Sequence, residues 1–407
     1  MTPSGQVRSP LRYEWMAHLG GMAVITGVQL ISPALPALAE RFVLTESEVS
    51  LVISVYLIPA ALASIPAGLL ADRFGRRWVF GAGLTLFGLA GLFLPLVAQG
   101  SFGALLVIRF FQGLGFAPAF PLTITILGDL YRGPQLVSAQ GRRSVLMSVA
   151  DGAYPILGGI LVGLSWMAPW YLQIVALPFG LLVLLTFKDW VPLRRRGVMS
   201  GLVWLWRSTR LKGTMSLHYV GFIRFFVKFG LLSYLPLLLV VSRDMTAAQA
   251  GLILGTAALC GTLGAAISGA LAQVGPGSRW VALAIVLQGV TLVVIAYVGD
   301  VWILMPVAVV YGLGDGVLGT FVNSYLATAT DPEHRASLVA ANGAIKNLGK
   351  LLAPILLGLA VLWIPLSAAF AIMAVSMVLS APAVRPLRVY DDRVSKRIPK
   401  PGKATME

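Results

Sequence analysis

The chain has 407 residues, 57% of them apolar and only 12% charged, against about a quarter charged in an ordinary soluble domain. One soluble core of that make-up would leave far too much apolar surface in water, so the composition excludes a soluble globular protein. The net charge of +15 would suit a nucleic-acid partner, but the way it is distributed excludes one.

The apolar runs are continuous over roughly 20 residues rather than alternating over about 10, which makes them membrane helices and not barrel strands. Residues 1–13 read as a short cytoplasmic tail. Twelve spans are expected at 14–37, 47–70, 77–98, 102–129, 139–163, 168–187, 215–240, 248–272, 279–298, 302–327, 336–359 and 362–383. Of the 31 Lys and Arg, only Arg41 and Arg243 fall in loops on one face, and Arg109, Arg224, Lys228, Lys346 and Lys350 lie inside spans. The rest gather on the opposite face, which the positive-inside bias makes cytoplasmic, together with both termini. Anionic lipid would favour the same face. No cleavable signal is evident, and the single Cys260 rules out a disulfide framework and a cysteine metal site.

The longest connection, 188–214, holds Arg194-Arg195-Arg196 followed by Trp204 and Trp206; it reads either as a flexible tether or as an interfacial helix. It divides a first six-span bundle, 14–187, from a second, 215–384. The tail 385–407 carries seven basic residues and reads as disordered. The two halves repeat weakly. Gly68-x-Leu70-Ala71 recurs as Gly269-x-Leu271-Ala272, and Pro155-Ile156-Leu157-Gly158 answers Pro354-Ile355-Leu356-Leu357-Gly358. The near-equal offsets of the two matches favour a duplicated architecture.

Between spans two and three runs Gly68-Leu69-Leu70-Ala71-Asp72-Arg73-Phe74-Gly75-Arg76-Arg77. Gly68 and Gly75 permit close backbone approach and a sharp reversal. Asp72 lies among three arginines and can also reach a helix N-terminus across the hairpin. Span four carries Arg109-Phe110-Phe111-Gln112-Gly113-Leu114-Gly115, and span five carries Gly141, Asp151, Tyr154, Pro155, Gly158 and Gly159.

These stretches resemble signatures of the major facilitator superfamily: the loop G-x-L-A-D-x-x-G-R-[RK], the R-x-x-Q-G-x-G of span four, and the antiporter pattern ending G-P-x-x-G-G in span five. The chain looks most like the 12-span drug–proton antiporter branch, although Ala150 and Tyr154 replace glycines of the antiporter pattern. The resemblance implies an all-α fold of two pseudo-symmetric six-helix bundles, with spans one, four, seven and ten lining a central cavity. It also implies that Asp72, Arg73 and Arg76, in the conformational motif that includes Gly68 and Gly75, latch the outward-open state, and that Pro155, Gly158 and Gly159 form a rocking contact.

A charge at mid-membrane costs about 2.5–3.5 kcal/mol on insertion scales, so such residues are functional candidates. Arg109, Gln112, Arg224, Lys228, Asp315, Asp151, Lys346, Lys350 and Gln29 are the expected substrate and proton pathway. By the resemblance, Arg109, Arg224, Lys228 and Asp315 face the cavity; otherwise Arg109 snorkels to the interface. Asp151 and Asp315 either neutralise neighbouring cations or titrate during a cycle. Two acids cannot neutralise five cations, so the site is expected to be electropositive. His18 is a second proton carrier or an interfacial histidine, and Glu14 is the one acid of span one.

No nucleotide loop, nucleophile elbow or zinc motif is present. Together with these absences, the resemblance implies a non-enzymatic secondary transporter without a cofactor or metal, moving a small molecule with protons, contacting lipid and no nucleic acid, and acting as a monomer. Export of small amphipathic or anionic compounds is expected, with uptake of an organic anion or a non-transporting sensor as alternatives.

Overall fold

The computed structural model describes residues 10–189, 213–329 and 332–395. The linker readings at 190–212 and the last residues of the tail, 396–407, lie outside them. Among the described residues there is no strand. The helices in chain order are α1 Pro10–Gln29, α2 Leu35–Phe42, α3 Glu46–Leu62, α4 Ser64–Phe74, α5 Arg76–Val97, α6 Phe102–Leu130, α7 Gly133–Val162, α8 Ala168–Gln173 and α9 Ala176–Thr186. They continue as α10 Thr214–Arg243, α11 Ala247–Val274, α12 Gly277–Tyr297, α13 Val301–Thr328, α14 Pro332–Ala360, α15 Leu366–Leu379 and α16 Arg388–Ser395.

Eleven helical segments are long and apolar enough to cross a membrane, and the bent pair α3–α4 makes a twelfth. That pair is bent by 50°. Pro59 and Pro66 each lack a backbone N–H, so the helix loses rungs on both sides of the break. The twelve expected spans are all found, but α7 starts at Gly133, earlier than expected, and two residues separate it from α6. Arg142 and Arg143 therefore sit well inside a helix.

The last helix corrects the reading of the tail. Residues 381–387 form a 3-10 turn and α16 follows, so order extends through Ser395. Leu387 just before α16 and Tyr390 within it are buried, which anchors this end of the chain.

Local signals repeat at an offset of 201 residues. Val43 and Asp244 both hold φ of 53°, just before two matching helix starts. Thr45 accepts the Glu48 N–H while Glu48 accepts the Thr45 N–H at 2.8 Å. Thr246 and Gln249 make the same reciprocal pair, with the Thr246 N–H donating at 2.9 Å. Each is a capping box that satisfies two otherwise orphaned N–H groups. The duplication expected from two short repeats is thus visible in backbone geometry.

By packing, the chain forms two compact units. Among the described residues, unit 1 takes those of Met1–Arg196, Phe229–Leu259 and Leu351–Pro365; unit 2 takes those of Gly197–Lys228, Cys260–Lys350 and Leu366–Glu407. Helices α10, α11 and α14 contribute to both. In unit 1, small residues let helices meet at backbone distance. A Cβ on Gly115 would lie 2.7 Å from the Gly83 carbonyl, and one on Gly88 2.2 Å from the Leu177 nitrogen. In lipid there is no hydrophobic drive between helices, so this close packing holds them together.

Candidate functional site

In unit 2, α10 and α13 are joined by a two-point ion pair. Arg224 Nε donates to Asp315 Oδ1 at 2.6 Å and Nη2 to Oδ2 at 2.8 Å. The guanidinium lies against Gly319, where a Cβ would come within 2.6 Å of Arg224 Cζ. The glycine is what admits the fork. Lys228, one turn beyond Arg224, acts electrostatically on the same carboxylate. Helix α14 adds Lys346 and Lys350, whose Nζ atoms lie 5.9 and 4.9 Å from the Phe225 ring centroid; Arg224 Cζ lies 5.3 Å from it. Three cations thus share one aromatic ring. Lys346 also donates to Asn323 at 3.4 Å, and Asn342 donates to the Leu217 carbonyl at 3.1 Å. Among the described side chains of α10–α15 in this unit, Asp315 is the sole acid. The side chains of Arg224 and Asp315 keep 17% and 14% of their surface exposed, so neither is fully enclosed.

Arg109 behaves differently. It is completely buried in unit 1 and neither faces a cavity nor snorkels, which corrects both readings of it. Its Nε donates to the Val52 carbonyl at 2.9 Å, Nη2 to the Gly27 carbonyl at 2.8 Å and Nη1 to Gln112 at 2.6 Å. Its plane lies 4.5 Å from the Tyr56 ring centroid and 5.3 Å from that of Trp170. Gln112, equally buried, donates to Gln173 at 2.5 Å, and Gln173 reaches the Thr26 carbonyl at 3.2 Å. Carbonyls and ring faces solvate the cation in place of a carboxylate. Arg109 is therefore a brace joining α1, α3 and α6, and Gln112 belongs to that brace.

Two other expected pathway residues meet in unit 1. Gln29 donates to Asp151 Oδ1 at 2.7 Å, linking α1 to α7. Nearer the motif end of α1 lies a network that sequence reasoning missed. Glu14, 1% exposed, accepts from Tyr131 at 2.6 Å and from Arg142 Nε at 2.7 Å, and lies 3.1 Å from His18 Nε2. Burial and the Glu14 bond push the Tyr131 phenol up to about 12, so it stays a donor at any working pH. His18 is fully buried, not interfacial. The signal available in sequence was the i, i+4 spacing of Glu14 and His18 on one helix face.

The loop motif is tied inward within unit 1. Arg76 bridges Asp72 at 2.6 Å and Asp129 at 3.1 Å. Arg73 is exposed, 5.4 Å over the Phe74 ring. The N-terminal cap on this hairpin comes from Asp189, which accepts the Arg77 N–H at 3.0 Å; Asp72 was expected to play that part but is engaged by Arg76. Gly75 holds φ of 98°, and a Cβ there would lie 2.3 Å from Asp189 Oδ2, whereas a Cβ on Gly68 would meet nothing within 4 Å. Close approach is thus a property of Gly75 and not of Gly68.

The family model described as Major Facilitator Superfamily matches residues 17–287 and 217–405. The chain belongs to this superfamily. Among curated members, the bacillibactin exporter of Bacillus subtilis (strain 168) is 30% identical over 36% of this chain and 38% of its own length. The multidrug efflux protein YfmO of the same organism is 26% identical over 55% of this chain and 56% of its own. The chain thus spans between about a quarter and just over half of the length of the curated relatives it matches. A solved superfamily fold, the bacterial homolog of the human lysosomal transporter Spinster in an inward-facing, unoccupied conformation, superposes with a TM-score of 0.74 at 17% identity, covering 96% of this chain and 97% of that one.

The span-five signature of the superfamily member also has a steric basis here. In unit 1, a Cβ on Gly158 would lie 2.1 Å from the Leu30 carbonyl, and one on Gly159 2.4 Å from the Ala247 carbonyl. The Pro155 carbonyl abuts Gly251, where a Cβ would come within 2.2 Å. These glycines mark the crossings of α7 with α1 and α11. Asp129, Asp189, Gln173, Arg142 and Arg143 were not singled out from sequence, because none occupies a fixed position of a signature.

Proposed function

We propose that this chain is a secondary active transporter of the plasma or inner membrane, with both termini cytoplasmic, that exports small amphipathic or anionic compounds against protons by alternating access. The carrying observation is the partly exposed Arg224–Asp315 fork beside Lys228, Lys346 and Lys350 in membrane helices. Each such charge is expensive in lipid, and an anionic substrate gives the excess of cations a physical purpose. Phe225, within reach of three cations, offers an apolar face for the hydrophobic part of an amphipathic compound. Asp315 and Asp151 are the carboxylates that would carry protons. Efflux proteins among the curated relatives favour the outward direction.

The six-span halves, 14–187 and 215–384, are proposed as the moving bodies, with Asp72, Arg73 and Arg76 as the latch. The monomer is proposed as the working form. The test uses purified protein in proteoliposomes under an imposed pH gradient, with a fluorescent carboxylate dye and a lipophilic cationic dye as probes. Gradient-driven movement of the carboxylate dye, weakened by Arg224→Gln or Lys228→Gln, supports the reading. Preference for the cationic dye removes the anionic substrate class. Movement only when the gradient is reversed assigns uptake.

A further inference from the structure

The unexplained chemistry of the molecule lies at the motif end of unit 1. Glu14 and His18, one turn apart on α1, are 1% and 0% exposed. The carboxylate receives Tyr131 and Arg142. It can only accept from His18 when ionised, so Nε2 carries the hydrogen in that 3.1 Å contact. The tautomer then leaves Nδ1 as a bare lone pair, and that atom is buried with no hydrogen-bond partner. A buried polar atom without a partner is costly, and here it is a base backed by a carboxylate.

We propose that His18 Nδ1 is a proton-binding site, distinct from Asp151 and Asp315, and that Glu14 orients and stabilises the imidazolium it forms. The step is a simple protonation: Nδ1 gains a hydrogen, Nε2 keeps its own, and Glu14 stays ionised. This deepens the proton-coupling part of the reading above, because it adds a proton site outside the expected pathway.

The groups facing the pair come from three elements. Helix α1 supplies Glu14 and His18, the α6–α7 connection supplies Tyr131, and α7 supplies Arg142 and Arg143. The Phe187 ring that approaches α1, 4.9 Å from Tyr13, brings no charge. Burial opposes a positive imidazole most, Glu14 favours it, and the charges of Arg143 and Arg142 oppose it. Arg143 is itself 8% exposed, donates to Thr123 at 2.8 Å and has an Nη2 without a partner. Since Nδ1 has no acceptor or solvent contact here, taking up the proton requires the start of α1 to open to water. Proton binding and that opening are therefore linked, each favouring the other.

Trp15 is a built-in reporter, with its ring centroid 5.7 Å from that of His18 at an interplanar angle of 89°, and imidazolium quenches indole emission. The experiment titrates intrinsic fluorescence of the full-length protein in lipid nanodiscs between pH 5 and 8, taking the difference between wild type and Trp15→Phe. Trp15 is 48% exposed, so its replacement leaves the fold intact. The expected result is acid quenching of the Trp15 component by a single proton, lost in His18→Gln and shifted to lower pH by about 1–2 units in Glu14→Gln. A Trp15 component that is flat with pH in the wild type, or that keeps its transition in His18→Gln, overturns the proposal. A flat wild-type component overturns the proposal whether or not the site variants fold, and where His18→Gln does not fold, His18→Asn supplies the same comparison. No transport is measured, so a flat titration leaves the transporter reading standing.

Discussion

Asp391 accepts the backbone N–H of Ser278 at 3.0 Å, closing the N-terminus of α12 from a residue 113 positions further along the chain. It also accepts the Ser278 hydroxyl at 2.6 Å and the Tyr325 phenol at 2.5 Å. Its counterpart is Asp189, which accepts the Arg77 N–H, also at 3.0 Å, at the start of α5. A carboxylate at a helix N-terminus satisfies an orphan donor and complements the helix dipole. Losing such a cap costs about 0.5–2 kcal/mol. Asp391→Ala is expected to lower the thermal unfolding midpoint of the purified protein more than Asp189→Ala, since it also strands Tyr325. Equal midpoints would show that the Tyr325 bond adds nothing.

The two glycines of the loop signature should separate. Gly75 combines φ of 98° with a would-be Cβ contact of 2.3 Å, while Gly68 is open. Gly75→Ala is expected to destabilise by about 1–3 kcal/mol through backbone strain alone. Gly68→Ala should be neutral in a thermal melt. A Gly68→Ala protein that melts normally yet fails in dye transport would locate its role in a conformation other than this one.

Arg109 is held by two carbonyls, one amide and two aromatic rings, with no acid among its contacts. Arg109→Ala strands buried acceptors at about 1–3 kcal/mol each, and the variant should accumulate poorly in membranes. Arg109→Lys retains the charge but cannot span three acceptors in one plane, so its melt should fall between those of the wild type and Arg109→Ala. Wild-type stability for Arg109→Ala would refute the brace.

For the unit 2 pair, Arg224→Gln or Asp315→Asn alone should each destabilise by up to about 3–5 kcal/mol, because each removes one partner of a partly buried ion pair. The double variant should recover much of that in a thermal melt, a coupling that a double-mutant cycle measures directly. It should not recover movement of the carboxylate dye in proteoliposomes. Recovery of both would reduce the pair to a structural tie.

Sequence by itself determined the membrane class, the twelve spans, the duplicated plan and the family, because each rests on signals within one segment: continuous apolar length, basic loops and short signatures such as Gly68–Arg77. It also singled out Arg224, Lys228 and Asp315, since charge inside an apolar run stands out. Only tertiary structure decided which of these charges share a partner. Asp315 belongs with Arg224 across 91 residues, Arg109 is enclosed by backbone carbonyls, and Glu14 reaches Arg142 across 128. Backbone acceptors have no letter in the sequence, and a side chain's surroundings are set by helices remote along the chain. The order of α16 escaped for the same reason: its basic composition suggested a loose tail, while Tyr390 and Asp391 are fixed by residues more than 60 positions away.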